Sequence, residues 1–288
     1  MTVLVTGGAG FVAAHLVLEL ESAGWNVVRT DIVDGGNPSI CIADLTDAVS
    51  IESLVAKVKP DAVVHLGAIS FVPDAAKDVG LLEQVNVGGT ENLLSAVESE
   101  VPHARILFVS TAHVLNVPLS DYAKSKLAAE KLVRDSVSRG LHAVIARPAN
   151  HTGPGQPSKF VVPSFVKQAI EIKSGIQTRF TVGNLESIRD FTDVRDVVRA
   201  YRILLERGEA GGIYNICSDC RMEISRLLEM IASVIGVNFD YNVDENLWRP
   251  TDEAPIIDTS RIEALGWVPV MSLQQTIRDM IECENVVV

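Results

Sequence analysis

The run Thr2-Val3-Leu4-Val5-Thr6 passes directly into Gly7-Gly8-Ala9-Gly10-Phe11-Val12-Ala13, and then into the apolar spacing Leu16, Val17 and Leu20. A β-branched strand, a glycine turn and an apolar-periodic helix, in that order, open a parallel βαβ unit. Gly7 permits the tight turn, Gly10 lets backbone N–H groups approach a pyrophosphate, and Ala13 allows close helix packing. A plain glycine-rich turn is the alternative reading of the same residues.

The pattern then repeats. Residues 26–31 read as a second strand ending in Asp31, about twenty residues past Gly10, the place of an acid that accepts the ribose 2′-OH hydrogen bonds. The same carboxylate repels a 2′-phosphate, which favours NAD(H) over NADP(H); Arg29 lies close enough to soften that preference. Residues 39–43 read as a third strand with Asp44-Leu45 at its end, where an adenine would lie, and Thr46 is expected to cap the next helix with Asp47 in its first turn. Residues 61–66 form a fourth strand running into Gly67-Ala68-Ile69-Ser70, small enough to let a dinucleotide pass. His65, inside that strand, reads as a satisfied core histidine rather than a catalytic one.

A single helix is expected over residues 80–100, with Leu93, Leu94 and Val97 as its apolar stripe. Asn86 in mid-helix is either a buried hydrogen-bonding spacer, the preferred reading, or a surface residue. Residues 105–110 give a fifth strand ending in Ser110-Thr111-Ala112-His113, with hydroxyls at the mouth of the sheet. A helix carrying Tyr122 and Lys126 follows, then a sixth strand over 141–147. Strands alternating with helices predict an α/β fold built on a doubly wound parallel sheet.

Tyr122 and Lys126, four apart on a helix, share one face. An ammonium fixed beside a phenol favours the phenolate; bringing a phenol to neutrality takes roughly 4 kcal/mol of differential interaction. The pair gains meaning only from the dinucleotide turn before it.

Beyond Pro148 the texture changes. Asn150-His151-Thr152-Gly153-Pro154-Gly155-Gln156-Pro157 is a breaker-rich loop. A helix over 160–173 and a strand over 179–182 follow, then a polar, turn-like stretch over 183–191. Asp193 opens another helix, 213–217 is a further strand, and helices near 223–235 and 272–284 close the chain. The expected organisation is a cofactor-binding domain over 1–148, rejoined by about 190–217, and a smaller, partly discontinuous α/β region over 149–288.

The chain has 288 residues, 47% hydrophobic and 22% charged, with a net charge of −12. That balance argues against a nucleic-acid or anionic-membrane partner, but a few local arginines can still hold an anionic small molecule. Met1 leads straight into a strand with no signal-peptide pattern, and no apolar run reaches membrane-spanning length, so the sequence reads as cytoplasmic. The four cysteines do not form a disulfide framework, and Cys217-Ser218-Asp219-Cys220 lacks the second half of a zinc site, so no metal is expected.

Taken together these residues resemble the extended short-chain dehydrogenase/reductases, the NAD-dependent epimerase/dehydratase family, acting on nucleotide sugars. Thr6 to Val12, Asp44-Leu45, His65-Leu66-Gly67-Ala68, Asn86-Val87, Thr111 and Tyr122-x-x-x-Lys126 carry the resemblance, extended by Arg147-Pro148-Ala149-Asn150, Gly153-Pro154-Gly155-Gln156 and Arg249-Pro250. Pro148 to Gln156, Val182 to Glu186 and Arg189 to Val194 are most similar to the GDP-4-keto-6-deoxy-D-mannose reductase group. The resemblance implies a Rossmann domain with cofactor contacts from Gly7, Gly10, Phe11, Val12, Asp31, Asp44 and Leu45. It adds Leu66, Gly67 and Ala68 to that set, together with Tyr122 and Lys126. It makes Tyr122 the acid/base, Lys126 the residue that lowers its pKa and binds the nicotinamide ribose, and Thr111 the hydrogen-bond donor to the sugar oxygen, with Ser110 as the adjacent candidate. Ser70, Asn150, Arg189 and Arg249 would contact the nucleotide sugar, arginine forks suiting phosphate oxygens; ordinary surface ion pairing is the alternative for the two arginines. A homodimer through the helices of Asn86 and Tyr122 is also implied.

Two departures qualify this. Ala13 stands where the family has glycine, and only residues 112–121 separate Thr111 from Tyr122, a shorter approach than is usual. The carboxylic acid that 4,6-dehydratases carry after the threonine is replaced by Ala112-His113. The expectation is therefore reduction of a 4-keto nucleotide sugar, with a 4-epimerase as the alternative and a dehydratase below both.

Overall fold

The N-terminal β-branched run forms β1 (Thr2–Thr6), buried from Val3 onward, and the chain turns through Gly7 (φ +68°) into α1 (Phe11–Ser22). The computed structural model describes residues 1–70, 78–116, 118–248 and 255–287. The next elements are β2 (Asn26–Asp31), β3 (Ile40–Ile42), α2 (Ala48–Val58) and β4 (Ala62–His65). After them come α3 (Val79–Glu83), a π-helical turn (Gln84–Gly88), α4 (Gly89–Glu100), β5 (Arg105–Val109), α5 (Asp121–Ser138) and β6 (His142–Pro148).

The chain divides into two compact units. The first comprises Met1–Pro148, Val198–Ile216 and Asp258–Trp267. Its sheet runs in the order β3-β2-β1-β4-β5-β6-β11, with β11 spanning Ile213–Ile216, and every neighbouring pair is parallel. The α/β doubly wound sheet is thus present. The strand order reverses at β1, so β1 and β4 lie side by side and the crevice at their carboxyl ends is the topological switch point. One face is covered by a core that includes Ile51, Val55, Leu93, Val97, Phe108 and Val133.

The second unit comprises Ala149–Val197, Cys217–Ile257 and Val268–Val288. It holds β7 (His151–Thr152), α6 (Val161–Lys173), β8 (Phe180–Val182), β9 (Ile188–Asp190), β10 (Thr192–Asp193), β12 (Arg221–Glu223), α8 (Ile224–Ile235), β13 (Tyr241–Val243) and α10 (Leu273–Val287). The helix α7 (Val194–Arg207) starts in this unit and ends in the first, and α9 (Ser260–Glu263) belongs to the first. The core of the second unit is built from Phe165, Val166, Phe180, Leu227, Ile231 and Ile277 on α6, β8, α8 and α10. Among the described residues no helix is long and apolar enough to cross a membrane.

Three local expectations change. The helix over 80–100 is not uniform: a π turn over Gln84–Gly88 interrupts it, and the Thr90 hydroxyl bonds the Asn86 carbonyl at 2.7 Å. The stretch over 183–191 is not all turn, because Ile188–Asp190 pairs antiparallel with Arg221–Glu223. A strand whose partner lies thirty-odd residues away leaves little local signal. The cap of α2 is Asp47 and not Thr46. The Asp47 carboxylate accepts from Val49 N at 3.0 Å and Ser50 N at 3.2 Å, while the Thr46 hydroxyl is tied to Asp44 at 2.8 Å. Asp47→Ala is accordingly expected to destabilise the protein by about 1 kcal/mol in urea unfolding. Thr46→Ala should cost clearly less, and the opposite ranking would return the cap to Thr46.

Candidate active site

β1 and β4 end so close together that a Cβ on Gly7 would stand 2.8 Å from the Gly67 backbone nitrogen. A Cβ on Gly67 would stand 2.6 Å from Leu45 Cδ1. The close backbone approach and the positive φ require glycine at position 7, whereas at Gly67 the nearest neighbour is the end of the Leu45 side chain. Gly10 is the N-cap of α1 without a side-chain cap, and no acidic residue occupies the first turn, which begins at the half-buried Phe11 and Val12. Those free N–H groups at the positive end of a helix suit a pyrophosphate.

Asp31 closes the other side of the turn. Its carboxylate accepts from Ala9 N at 3.0 Å and Ile32 N at 2.7 Å. Arg29 turns to the neighbouring loop, where its guanidinium donates to Ser39 Oγ at 2.9 Å. Asp44 is exposed and holds the 44–46 turn; the Leu45 side chain lies against Gly67 and Gly89, and Asn92 donates to its carbonyl at 2.9 Å. Leu66 and Ala68 are half-buried, Gly67 buried and Ser70 exposed. The residues present fit the pyrophosphate and ribose of a dinucleotide.

β5 delivers Ser110 and Thr111 at its carboxyl end, and a 3₁₀ turn over Ala112–Leu115 returns the chain to α5, capped by Ser120 through Ala123 N at 3.2 Å. The structure separates the two hydroxyls that the sequence left side by side. The Thr111 hydroxyl acts on the Tyr122 phenol, pulling it down, whereas Ser110 donates to the buried Glu130 carboxylate at 2.6 Å. Asn116 donates to His113 Nδ1 at 3.4 Å.

Tyr122 and Lys126 are both buried, as a shared helix face predicts. The phenol nevertheless departs from expectation. Burial pushes it up to about 12, with the Thr111 hydrogen bond pulling the other way. The Lys126 ammonium instead stands over the Phe108 ring, 4.7 Å from its centroid. Burial brings that lysine down to about 8, against the pull of the Glu130 charge. Desolvation of the phenolate thus outweighs any help from the cation, and Tyr122 rests protonated.

His65 is a satisfied core histidine, bonded to Thr6 Oγ1 at 2.7 Å and Thr90 Oγ1 at 3.0 Å. Asn86 is the buried spacer: it accepts from Ile69 N at 2.8 Å and donates to Ser125 Oγ at 3.0 Å. Asn150 and Arg189 belong to the second unit, where the Asn150 carbonyl accepts from Thr192 N and Arg189 donates to the Ile188 carbonyl. Arg249 lies outside the described residues. Among the described residues no cluster of three or more His, Cys, Asp or Glu could hold a metal, and all four cysteines are free thiols. Sequence reasoning overlooked Glu130, although it continues the four-residue spacing from Tyr122 and Lys126.

Holding a lysine that titrates near 8 in the interior costs stability at neutral pH, on the order of 3 kcal/mol. Lys126→Met should therefore raise the melting temperature at pH 7. Its advantage should shrink as pH climbs from about 8 towards 10.5, where the native lysine has shed its proton and the unfolded one still holds it. An unchanged or lower melting temperature at pH 7 would contradict this.

Comparison with known proteins identifies the family. The pattern of the NAD dependent epimerase/dehydratase family matches residues 3–217. The chain is 34% identical to GDP-6-deoxy-D-mannose reductase of Pseudomonas aeruginosa, over 95% of this chain and 94% of that protein. It is 31% identical to GDP-6-deoxy-D-talose 4-dehydrogenase of Aggregatibacter actinomycetemcomitans, over 91% and 90% of the two chains. Among solved structures, that of RMD from Pseudomonas aeruginosa complexed with NADPH superposes with a TM-score of 0.88 at 33% identity, covering 100% of this chain and 99% of that one. The matched segment carries the glycine turn, Thr111, Tyr122 and Lys126, and the chain belongs to the NAD dependent epimerase/dehydratase family.

Proposed function

We propose that this protein reduces the 4-keto group of a nucleotide-linked 6-deoxy sugar, of the GDP-4-keto-6-deoxy-D-mannose kind, with a nicotinamide cofactor. The observation that carries the reading is a buried Tyr122 phenol and a buried Lys126 one turn along the same helix, following Thr111 at the end of β5, in the same unit as the dinucleotide turn. A protonated phenol is the form that gives a proton to a ketone; oxidation of an alcohol would start from the phenolate. The likeness to GDP-6-deoxy-D-mannose reductase supports the substrate class.

When bound, a nicotinamide would supply the hydride in this reading. Tyr122 gives its proton to the carbonyl oxygen, and the Thr111 hydroxyl holds that oxygen in place. The Lys126 ammonium stabilises the phenolate left behind and binds the nicotinamide ribose. Gly7, Gly10, Phe11 and Val12 bind the pyrophosphate, while Asp31 takes the ribose hydroxyls and favours NADH, although RMD from Pseudomonas aeruginosa is complexed with NADPH. Asp44, Leu45, Leu66, Gly67 and Ala68 line the remainder of the cofactor path. Ser70, Asn150, Arg189 and Arg249 contact the nucleotide sugar. With Ala112-His113 after Thr111, this chain lacks the acid that would expel water. The protein works in the cytoplasm as a homodimer through the helices carrying Asn86 and Tyr122.

Purified protein given GDP-4-keto-6-deoxymannose should oxidise reduced nicotinamide, followed at 340 nm. Tyr122→Phe should lower kcat at least a hundredfold with cofactor affinity unchanged. No oxidation with this sugar or its dTDP and UDP counterparts would sink the reading, and interconversion of nucleotide hexoses without net redox would make the protein a 4-epimerase instead. Asp31→Ala should narrow the preference for NADH over NADPH; a wild-type preference for NADPH would remove the role given to Asp31.

A further inference from the structure

Glu130 lies one helical turn beyond Lys126 and two beyond Tyr122, so the three side chains leave α5 along one face. The proton transfer described above makes no use of this carboxylate, yet its side chain is fully buried. Oε1 accepts from Ser110 Oγ at 2.6 Å and from Arg147 Nε at 2.8 Å. Oε2 accepts from Arg147 Nη2 at 2.5 Å and, more loosely, from Arg134 Nη1 at 3.3 Å. A carboxylate is tolerated at this depth only when such a fork and further donors satisfy it. Through it, the end of β5, the middle of α5 and the end of β6 meet at one side chain.

We propose that Glu130 is a positioning residue for the proton-transfer pair, fixing Ser110, and with it Thr111, against α5 and placing an anion one helical turn from Lys126. This rests on the roles given above to Thr111, Tyr122 and Lys126. The mechanical half follows from sequence adjacency: Ser110 is peptide-bonded to Thr111, and Glu130 shares a helix with the phenol on which Thr111 acts. Anchoring Ser110 to that helix holds hydroxyl and phenol in one frame.

The electrostatic half follows from what surrounds Lys126. From β4 comes His65, kept neutral because burial, and then Lys126 itself, press it down to about 3. From β5 comes the Phe108 ring, and from α5 the uncharged Tyr122 phenol and the Glu130 carboxylate. Arg147 from β6 and Arg134 from α5 are spent on Glu130. Glu130 is the anion in this group, and its charge opposes the desolvation that draws the lysine down. An uncharged lysine could not stabilise the phenolate that forms when Tyr122 gives up its proton.

The test is a titration of the free protein labelled with 13Cε-lysine, read by NMR, with Lys126→Met identifying the resonance. Wild-type Lys126 should titrate near 8. In Glu130→Gln, which keeps the shape and removes the charge, the midpoint should fall by at least half a pH unit, about a threefold change in the protonation equilibrium. Ser110→Ala should leave the midpoint in place while lowering kcat more than it raises KM. Because Glu130→Gln strands the Arg147 charge, the double variant Glu130→Gln with Arg147→Met keeps the site neutral should the single variant not fold, and its midpoint should also lie below that of wild type. A midpoint unchanged or raised in every folded variant lacking the carboxylate overturns the proposal, even if the wild-type enzyme reduces 4-keto sugars. A falling midpoint in a protein that reduces none of them upholds the role of Glu130 towards Lys126 and removes the reductase reading alone.

Discussion

The first unit depends on one chain of buried hydrogen bonds that passes through a neutral imidazole. Gly67 N–H donates to Thr6 Oγ1 at 3.0 Å, which leaves the Thr6 hydroxyl proton for His65 Nδ1. On the other side of the ring, Thr90 gives its proton to the Asn86 carbonyl, so it accepts from His65 Nε2–H. These partners fix the tautomer. Asn86 then bonds Ser125, and Ser125 bonds the Tyr122 carbonyl at 2.8 Å. The ends of β1 and β4, the π turn and the first turn of α5 are thereby held in one register, and each link has its donor and acceptor matched. Fully satisfied networks of this kind rigidify a site, while a half-satisfied one would be costly.

Around this frame the site gathers groups that a protein core normally avoids. Lys126, Glu130, Ser110 and His65 are all buried, and Tyr122 nearly so. Their burial explains why the phenol and the lysine shift as they do: each loses water that would have favoured its charged form. Burial keeps the phenol protonated, while the Glu130 charge opposes the desolvation that draws the lysine down. Holding such groups in the interior gives up stability locally.

Much of this was legible from residue order alone. Strand, glycine turn and helix at residues 2–22, and the alternation up to Pro148, gave the parallel sheet because these signals are local and periodic. The interior role of His65 was legible from its place in an apolar strand, and that of Asn86 from its place in a helix. What escaped reading was non-local. The pairing of Ile188–Asp190 with Arg221–Glu223 joins two polar segments, and the return of Asp258–Trp267 to the first unit, with Trp267 fully buried, has no periodic pattern. The π turn was hidden because its sequence is ordinary helix, and its extra residue is justified by the bonds Asn86 and Thr90 make.

The sequence by itself determined the α/β class, the dinucleotide turn and the shared face of Tyr122 and Lys126, since each follows from residue type at a fixed local spacing. Only the tertiary structure decided that Thr111 rather than Ser110 acts on the phenol, that Glu130 takes up Ser110, and that the phenol rests protonated. Those outcomes depend on depth of burial and on neighbours brought from other strands, and neither quantity is a property of any stretch of chain read alone.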